Sequence, residues 1–227
     1  MPGALITGAS RGIGRATARR FAKANIPVVL TARASDELQG ALEELTQNGA
    51  TAFAFAADLT KPEEISAVVK SAAGALGGID FLINNAGIAP KKNIQETSLE
   101  EWYEVMNTNL TASFCFAKGV IPQMIERKRG RLIFVSSISA TRPFGGFAAY
   151  AASKAGMIGM ARSLAEELKP HNIQAVVVAP GSVDTELLTR ANPGLLADMS
   201  PQEVAEAIYF AATGPRAITG STIDLFG

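Results

Sequence analysis

Apolar residues come along this chain in short dense runs separated by longer amphipathic stretches. The runs are "ALIT" (4–7), "VVLT" (28–31), "TAFAFA" (51–56), "FLIN" (81–84), "RLIFVS" (131–136), "IQAVVVA" (173–179) and "TIDLF" (222–226). Each is nearly continuous in apolar residues, the signature of a strand buried on both faces. Between them the spacing predicts helices over about 13–24, 36–48, 61–76, 98–128, 150–168 and 201–213. Several carry start signals: Ser35-Asp36, Thr60 followed by Pro62, Thr97-Ser98, and Ser200 followed by Pro201. Strands that alternate with helices of this length form right-handed βαβ units and a parallel sheet. The expected fold class is therefore α/β: a single Rossmann-type domain over residues 1–227, with a doubly wound parallel sheet of seven strands and helices on both faces. Ligands of nucleotide size bind such sheets at the carboxyl ends of the strands.

Composition narrows the function classes. The chain has 227 residues, 48% of them apolar, ample for a buried core. Formal net charge is zero, so there is no basic footprint for nucleic acid. The short basic run "ERKRGR" (126–131) and the pair Lys91-Lys92 read as a solvated helix end and a loop. Cys115 is the only cysteine, which excludes an internal disulfide; in its apolar setting it reads as an inert thiol. His171 is the only histidine, which argues against a Ser–His–acid triad and against a histidine-based metal site. No apolar stretch has the length of a membrane span, and "MPGALITGAS" enters a strand without a charged segment ahead of a signal core. The expected location is the cytoplasm.

The first strand runs into "TGASRGIG", with glycines at 8, 12 and 14, and then into a helix. Gly8 permits a tight turn; Gly12 and Gly14 let backbone approach a ligand and pack helix on strand. Backbone N–H groups at the helix start would face a pyrophosphate. The spacing G-x-x-x-G-x-G departs from the generic G-x-G-x-x-G fingerprint. At the end of the second strand, Ala32 stands where an NAD-selective site carries an acidic residue, and Arg33 follows. With Arg11 in the glycine loop, two guanidinium groups and no carboxylate suit a 2′-phosphate, so NADP(H) is expected over NAD(H). After the third strand, Asp58 reads either as an acceptor for the adenine amino group, with Leu59 alongside, or as a turn residue. After the fourth, "NNAG" (84–87) offers small residues, including Ala86 and Gly87, that let the chain pass close to a cofactor; its asparagines also favour a turn.

Tyr150 and Lys154 in "YAASK" share one helix face, with Cβ atoms about 6 Å apart. A lysine cation at about 6 Å in a medium of effective dielectric about 20 favours the phenolate by roughly 2.8 kcal/mol. That would lower the phenol by about two pKa units, toward useful proton exchange. The remaining N–H groups of Lys154 could hold a ribose hydroxyl. "IFVSSIS" places Ser136 and Ser137 at the end of the fifth strand, and Asn109 in "MNTNL" lies inside a helical segment, where asparagine does not help the helix.

Taken together, "TGASRGIG", "NNAG", "MNTNL", "VSSIS", "YAASK" and "APGSVDTEL" resemble the short-chain dehydrogenase/reductase family. The resemblance covers nearly the whole chain, and the wording is most similar to bacterial 3-oxoacyl-[acyl-carrier-protein] reductases in "NTNLTASF", "YAASKAG" and "AITGSTIDLFG". It implies that Tyr150 donates a proton in carbonyl reduction. Lys154 then lowers the tyrosine pKa and holds the nicotinamide ribose, Ser137 holds the substrate carbonyl, and Asn109 holds a water in a relay to Lys154. It implies that Gly8, Ser10, Arg11, Gly12, Ile13 and Gly14 form the pyrophosphate loop. Asp58, Leu59 and Asn85 would surround the adenine and its ribose; Pro180, Gly181, Val183 and Thr185 would cover the carboxamide.

Two departures from the family pattern stand out. Only "LLTRANPGLLADMS" separates Glu186 from the helix near Pro201, a short segment for a substrate lid. The chain stops at Gly227, just past the last strand, which leaves a minimal tail. The expected activity is NADPH-dependent reduction of a ketone, such as a 3-oxoacyl thioester carried on acyl carrier protein. The alternatives are turnover of another small ketone, sugar, steroid or pterin, a catalytically silent dinucleotide-binding protein, or a structural subunit beside an active homologue. No nucleic-acid or membrane partner is expected. The resemblance implies a homodimer or homotetramer.

Overall fold

A computed structural model describes residues 2–227. Among the described residues seven strands form one sheet: β1 (Ala4–Thr7), β2 (Val28–Ala32), β3 (Ala52–Ala56), β4 (Phe81–Asn84), β5 (Gly130–Val135), β6 (Ile173–Pro180) and β7 (Thr222–Leu225). All pairings are parallel, in the order β3-β2-β1-β4-β5-β6-β7. The order reverses between β1 and β4, the point at which sheets of this kind form a crevice beyond the strand carboxyl ends. The fold class is the expected one.

The helices are α1 (Gly12–Lys23), α2 (Asp36–Gln47), α3 (Pro62–Leu76), α4 (Leu99–Met106), α5 (Ala112–Arg127), α6 (Ala148–Glu167), α7 (Glu186–Ala191) and α8 (Pro201–Thr213). The near-continuous apolar strands feed two cores. Leu5, Val29, Leu82, Leu132 and Val177 face α3, α5 and α6. Their chain neighbours Ile6, Leu30, Ile83, Ile133 and Val178 face α1, α2 and α8. Period-two alternation thus serves both layers, which explains why neither face reads as polar.

Three differences from the sequence reading bear on the site. The segment expected as one helix over 98–128 is α4 and α5 joined by a π-helical turn, Asn107–Thr111. Ser98 and Glu101 form a reciprocal capping box at the start of α4. Helix α6 begins two residues earlier than expected, at Ala148, so Tyr150 sits in its first turn. The short helix α7 has no counterpart among the expected helices; Thr185 caps it by accepting from the Leu188 N–H. No helix among the described residues is long and apolar enough to cross a membrane.

Candidate active site

Strands β1, β4, β5 and β6 all deliver their carboxyl ends to one side of the crevice. The loop after β1 needs its glycines. Gly8 has φ of 63°, in the left-handed region that disfavours a side chain. A Cβ on Gly14 would collide with the carbonyl oxygen of Gly8. Among the described residues no side chain caps the N-terminus of α1, so its first-turn N–H groups remain available to an anion.

The end of β4 is tied to this loop. The Thr7 hydroxyl accepts from the backbone N–H groups of Asn85 and Ala86, each at 3.0 Å. The Asn85 amide donates to the carbonyls of Thr7 (2.9 Å) and Gly8 (3.2 Å). Both of its amide hydrogens therefore brace the loop, and only its Oδ1 is left to face a ligand.

Arg33 is exposed at the end of β2. Asp58 accepts from the backbone N–H of Thr60 (3.0 Å) and from its hydroxyl (2.7 Å). Those bonds hold its carboxyl below the usual range. This is the turn geometry that sequence offers as the alternative role for Asp58, and its other carboxylate oxygen lies 3.9 Å from the Lys61 Nζ. Leu59 is buried beneath it.

Beyond the ends of β5 and β6, Ser137, Tyr150, Ile13, Pro180, Gly181, Val183 and Thr185 line one cleft of about 280 Å³. Tyr150 is half-buried because its ring lines this cleft. Burial around its hydroxyl pushes the phenol up, and the nearby Ser137 hydroxyl pulls it partly back. The Ser137 hydroxyl also accepts from the Ser139 N–H at 3.1 Å, which fixes its direction.

Lys154 is 4% exposed, and its Nζ lies 5.7 Å from the centre of the Tyr150 ring. The ammonium donates to the Val135 carbonyl at 2.8 Å. Burial lowers its pKa from 10.5 to about 8. The Ser136 hydroxyl donates to the Lys154 carbonyl at 2.8 Å and so locks the helix that carries the lysine.

One expectation is corrected here. Helical spacing alone predicts that Lys154 depresses the Tyr150 pKa; among the chain's own groups, burial raises the phenol instead. Proximity on one helix face is present, but desolvation acts on both groups and disfavours both charges.

Asn109 is fully buried in the π-helical turn. Its Oδ1 accepts from the Ile88 N–H at 2.8 Å. Its Nδ2 donates to the Ile88 carbonyl (3.0 Å) and the Ser153 hydroxyl (2.9 Å). One lone pair of Oδ1 is left, facing Gly87: a Cβ there would lie 3.2 Å from Oδ1 and 3.4 Å from the Lys154 Nζ. The turn thus accounts for an asparagine that helix propensity disfavours; π-turns recur at functional sites.

The short chain dehydrogenase family model matches residues 3–195. The chain belongs to the short chain dehydrogenase family. It is an oxidoreductase of the C=O/CH–OH couple. It is 38% identical to the 3-oxoacyl-[acyl-carrier-protein] reductase FabG of Vibrio cholerae serotype O1, with 99% of this chain and 95% of that protein covered. It is 37% identical to the FabG reductase of Escherichia coli (strain K12), with the same coverage. Among solved structures, the 3-ketoacyl-(acyl-carrier-protein) reductase from Brucella melitensis complexed with NADH superposes with a TM-score of 0.92 at 32% identity, covering 99% of this chain and 96% of that one. A single-site variant of actinorhodin polyketide ketoreductase with NADPH gives 0.93 at 30% identity, covering 100% and 96%.

Sequence reasoning missed several groups of this dehydrogenase site. Thr7, Ile88 and Ser153 hold the named residues in place but carry no chemistry of their own, so no motif flags them. Phe144, Phe147, Leu187, Leu188 and Leu195 give the cleft its apolar walls. Phe144, Leu187 and Leu195 are exposed large apolar residues, a usable signal only once the cleft is known.

Proposed function

We propose that this dehydrogenase is an NADPH-dependent ketone reductase whose substrate is a 3-oxoacyl thioester presented on acyl carrier protein. The observation that carries the reading is that Ser137 and Tyr150 line one apolar cleft, with the Lys154 ammonium 5.7 Å from the centre of the tyrosine ring. The names of the FabG relatives support the substrate class. The NADH and NADPH named with the solved neighbours support a nicotinamide dinucleotide. The uncapped start of α1, the positive-φ glycine at position 8 and the exposed Arg11 and Arg33 fit such a group.

In this reading Gly8, Ser10, Gly12, Ile13 and Gly14 surround the pyrophosphate. Asp58, Leu59 and Asn85 flank the adenosine half, and Ala86 and Gly87 let the chain pass close to the coenzyme. Pro180, Gly181, Val183 and Thr185 cover the nicotinamide end. The coenzyme, when bound, supplies the hydride. Ser137 donates a hydrogen bond to the substrate oxygen as charge builds there. Tyr150 gives its proton to that oxygen. Lys154 holds a positive charge near the tyrosinate that remains and offers its other N–H groups to a ribose hydroxyl. Asn109 orients a water toward Lys154 through its remaining lone pair. The apolar walls exclude water and receive the acyl chain. Exposed Tyr103 and Phe114, on α4 and α5, support pairing of copies into a homodimer or homotetramer.

The test is NADPH oxidation with acetoacetyl thioesters beside simple ketones and diketones, and NADP⁺ reduction with secondary alcohols, each also run with the corresponding NAD form. Turnover of the thioester with NADPH in clear preference is the expected result. Faster turnover of small ketones, or alcohol oxidation alone, would move the chain to another substrate class. Binding of coenzyme with no turnover of any substrate would make it a silent binding protein. Arg33→Ala is expected to weaken NADPH by several-fold and NADH little, measured by titration; equal losses would defeat the coenzyme preference.

A further inference from the structure

Arg11 stands where three elements meet. It is the last residue before α1, and the loop it belongs to touches the end of β2 through the Ala9 N–H to the Thr31 carbonyl. Its Nη1 lies 3.4 Å from both carboxylate oxygens of Glu37, in the first turn of α2. The same Nη1 lies 2.5 Å from Glu186 Oε2, at the first position of α7. Next to it, a Cβ on Gly12 would come within 3.2 Å of Thr185 Cγ2, so the start of α7 is seated on the glycine loop. Glu186 also pairs with Arg190 one turn on.

One guanidinium is therefore shared by two carboxylates from opposite sides of the coenzyme loop. A dianionic 2′-phosphate held by Arg11 has to share it with those acids, whereas the 2′-hydroxyl of NADH does not draw on that charge. From this we infer that Glu186, with Glu37, sets the coenzyme preference by neutralising Arg11. These acids hold NADPH affinity below what two free arginines would give and leave NADH affinity untouched. The inference rests on the NADPH reading above. The side chains are partly exposed, at 44% for Arg11, 48% for Glu37 and 38% for Glu186, so the effect is screened and modest.

The experiment is titration of wild type, Glu186→Gln, Arg11→Ala and the double variant with NADPH and with NADH at low and high salt. Glutamine keeps the shape of Glu186 and leaves the Thr185 cap in place. Glu186→Gln is expected to tighten NADPH by about two- to fivefold at low salt, less at high salt, with NADH unchanged. Most of that gain should vanish when Arg11 is alanine. Unchanged or weaker NADPH binding, an equal shift for both coenzymes, or a full effect without Arg11 would each overturn the inference. Wild type that binds NADPH and NADH while Glu186→Gln does nothing refutes only this role. Wild type that binds neither refutes the coenzyme reading itself.

Discussion

Tyr150→Phe is expected to cut ketone reduction by about 10²–10⁴-fold while NADPH affinity stays as it was. The substitution removes one oxygen and leaves the ring that lines the cleft and packs edge-on against Phe147 at 6.3 Å between centroids. What is lost is the proposed proton donor. Ser137 keeps its direction through the Ser139 N–H, so the substrate oxygen still has one donor. The residual rate reports that donor and positioning alone. Initial rates of NADPH oxidation together with coenzyme titration check this. Near-normal turnover in the variant would remove Tyr150 from the chemistry, and loss of coenzyme binding would assign it a structural role instead.

Lys154→Met is expected to lose activity on the order of 10²-fold without losing stability. Lys154 is buried, and its folded pKa of about 8 lies below the unfolded value near 10.5. Below pH 8 both states are protonated, and folding must bury the cation. Between about pH 8 and 10.5 the unfolded chain binds the extra proton, so wild-type stability rises with pH across that window. The full difference corresponds to roughly 3 kcal/mol as an upper bound. Methionine has similar length, carries no charge and fits beside Met157, whose sulfur lies 3.8 Å from the Lys154 Nζ. The variant should therefore unfold at an equal or higher denaturant midpoint than wild type at pH 7, and lack the rise between pH 8 and 10.5. A variant several kcal/mol less stable would show that the ammonium is held for the fold. Wild-type reduction should also decline as pH rises through about 8, where the cation discharges.

The sheet can be read from the chain because every central strand is buried on both faces and so appears as an unbroken apolar run. Tyr150, Lys154, Ser137 and the glycine loop are readable as candidates because the chemistry proposed for them depends on residue type at fixed spacing. The π-helical turn at Asn109 is not: a π-turn adds one residue to a helix without changing the polarity pattern, and only the odd asparagine hints at it. Helix α7 is six residues long, too short for periodicity, and rests on the Thr185 cap and on packing against Gly12. The direction of the Tyr150 shift escapes a sequence reading for a related reason. Helical spacing gives the distance between two charges, whereas burial depends on α6 packing against β5 and β6, which no local pattern reports. Asn85 belongs with these cases, since its bracing of Thr7 and Gly8 joins segments 77 and 78 residues apart.

The electrostatics of Tyr150 can be measured by ultraviolet difference titration of wild type against Tyr150→Phe, alone and with saturating NADP⁺. The chain by itself should show this phenol ionising above its ordinary value of 10.0, because burial dominates. With the cationic nicotinamide added to the Lys154 charge, the same phenol should ionise at clearly lower pH, toward neutrality. A titration that does not move when the oxidised coenzyme binds would contradict a tyrosine poised to exchange its proton beside the coenzyme.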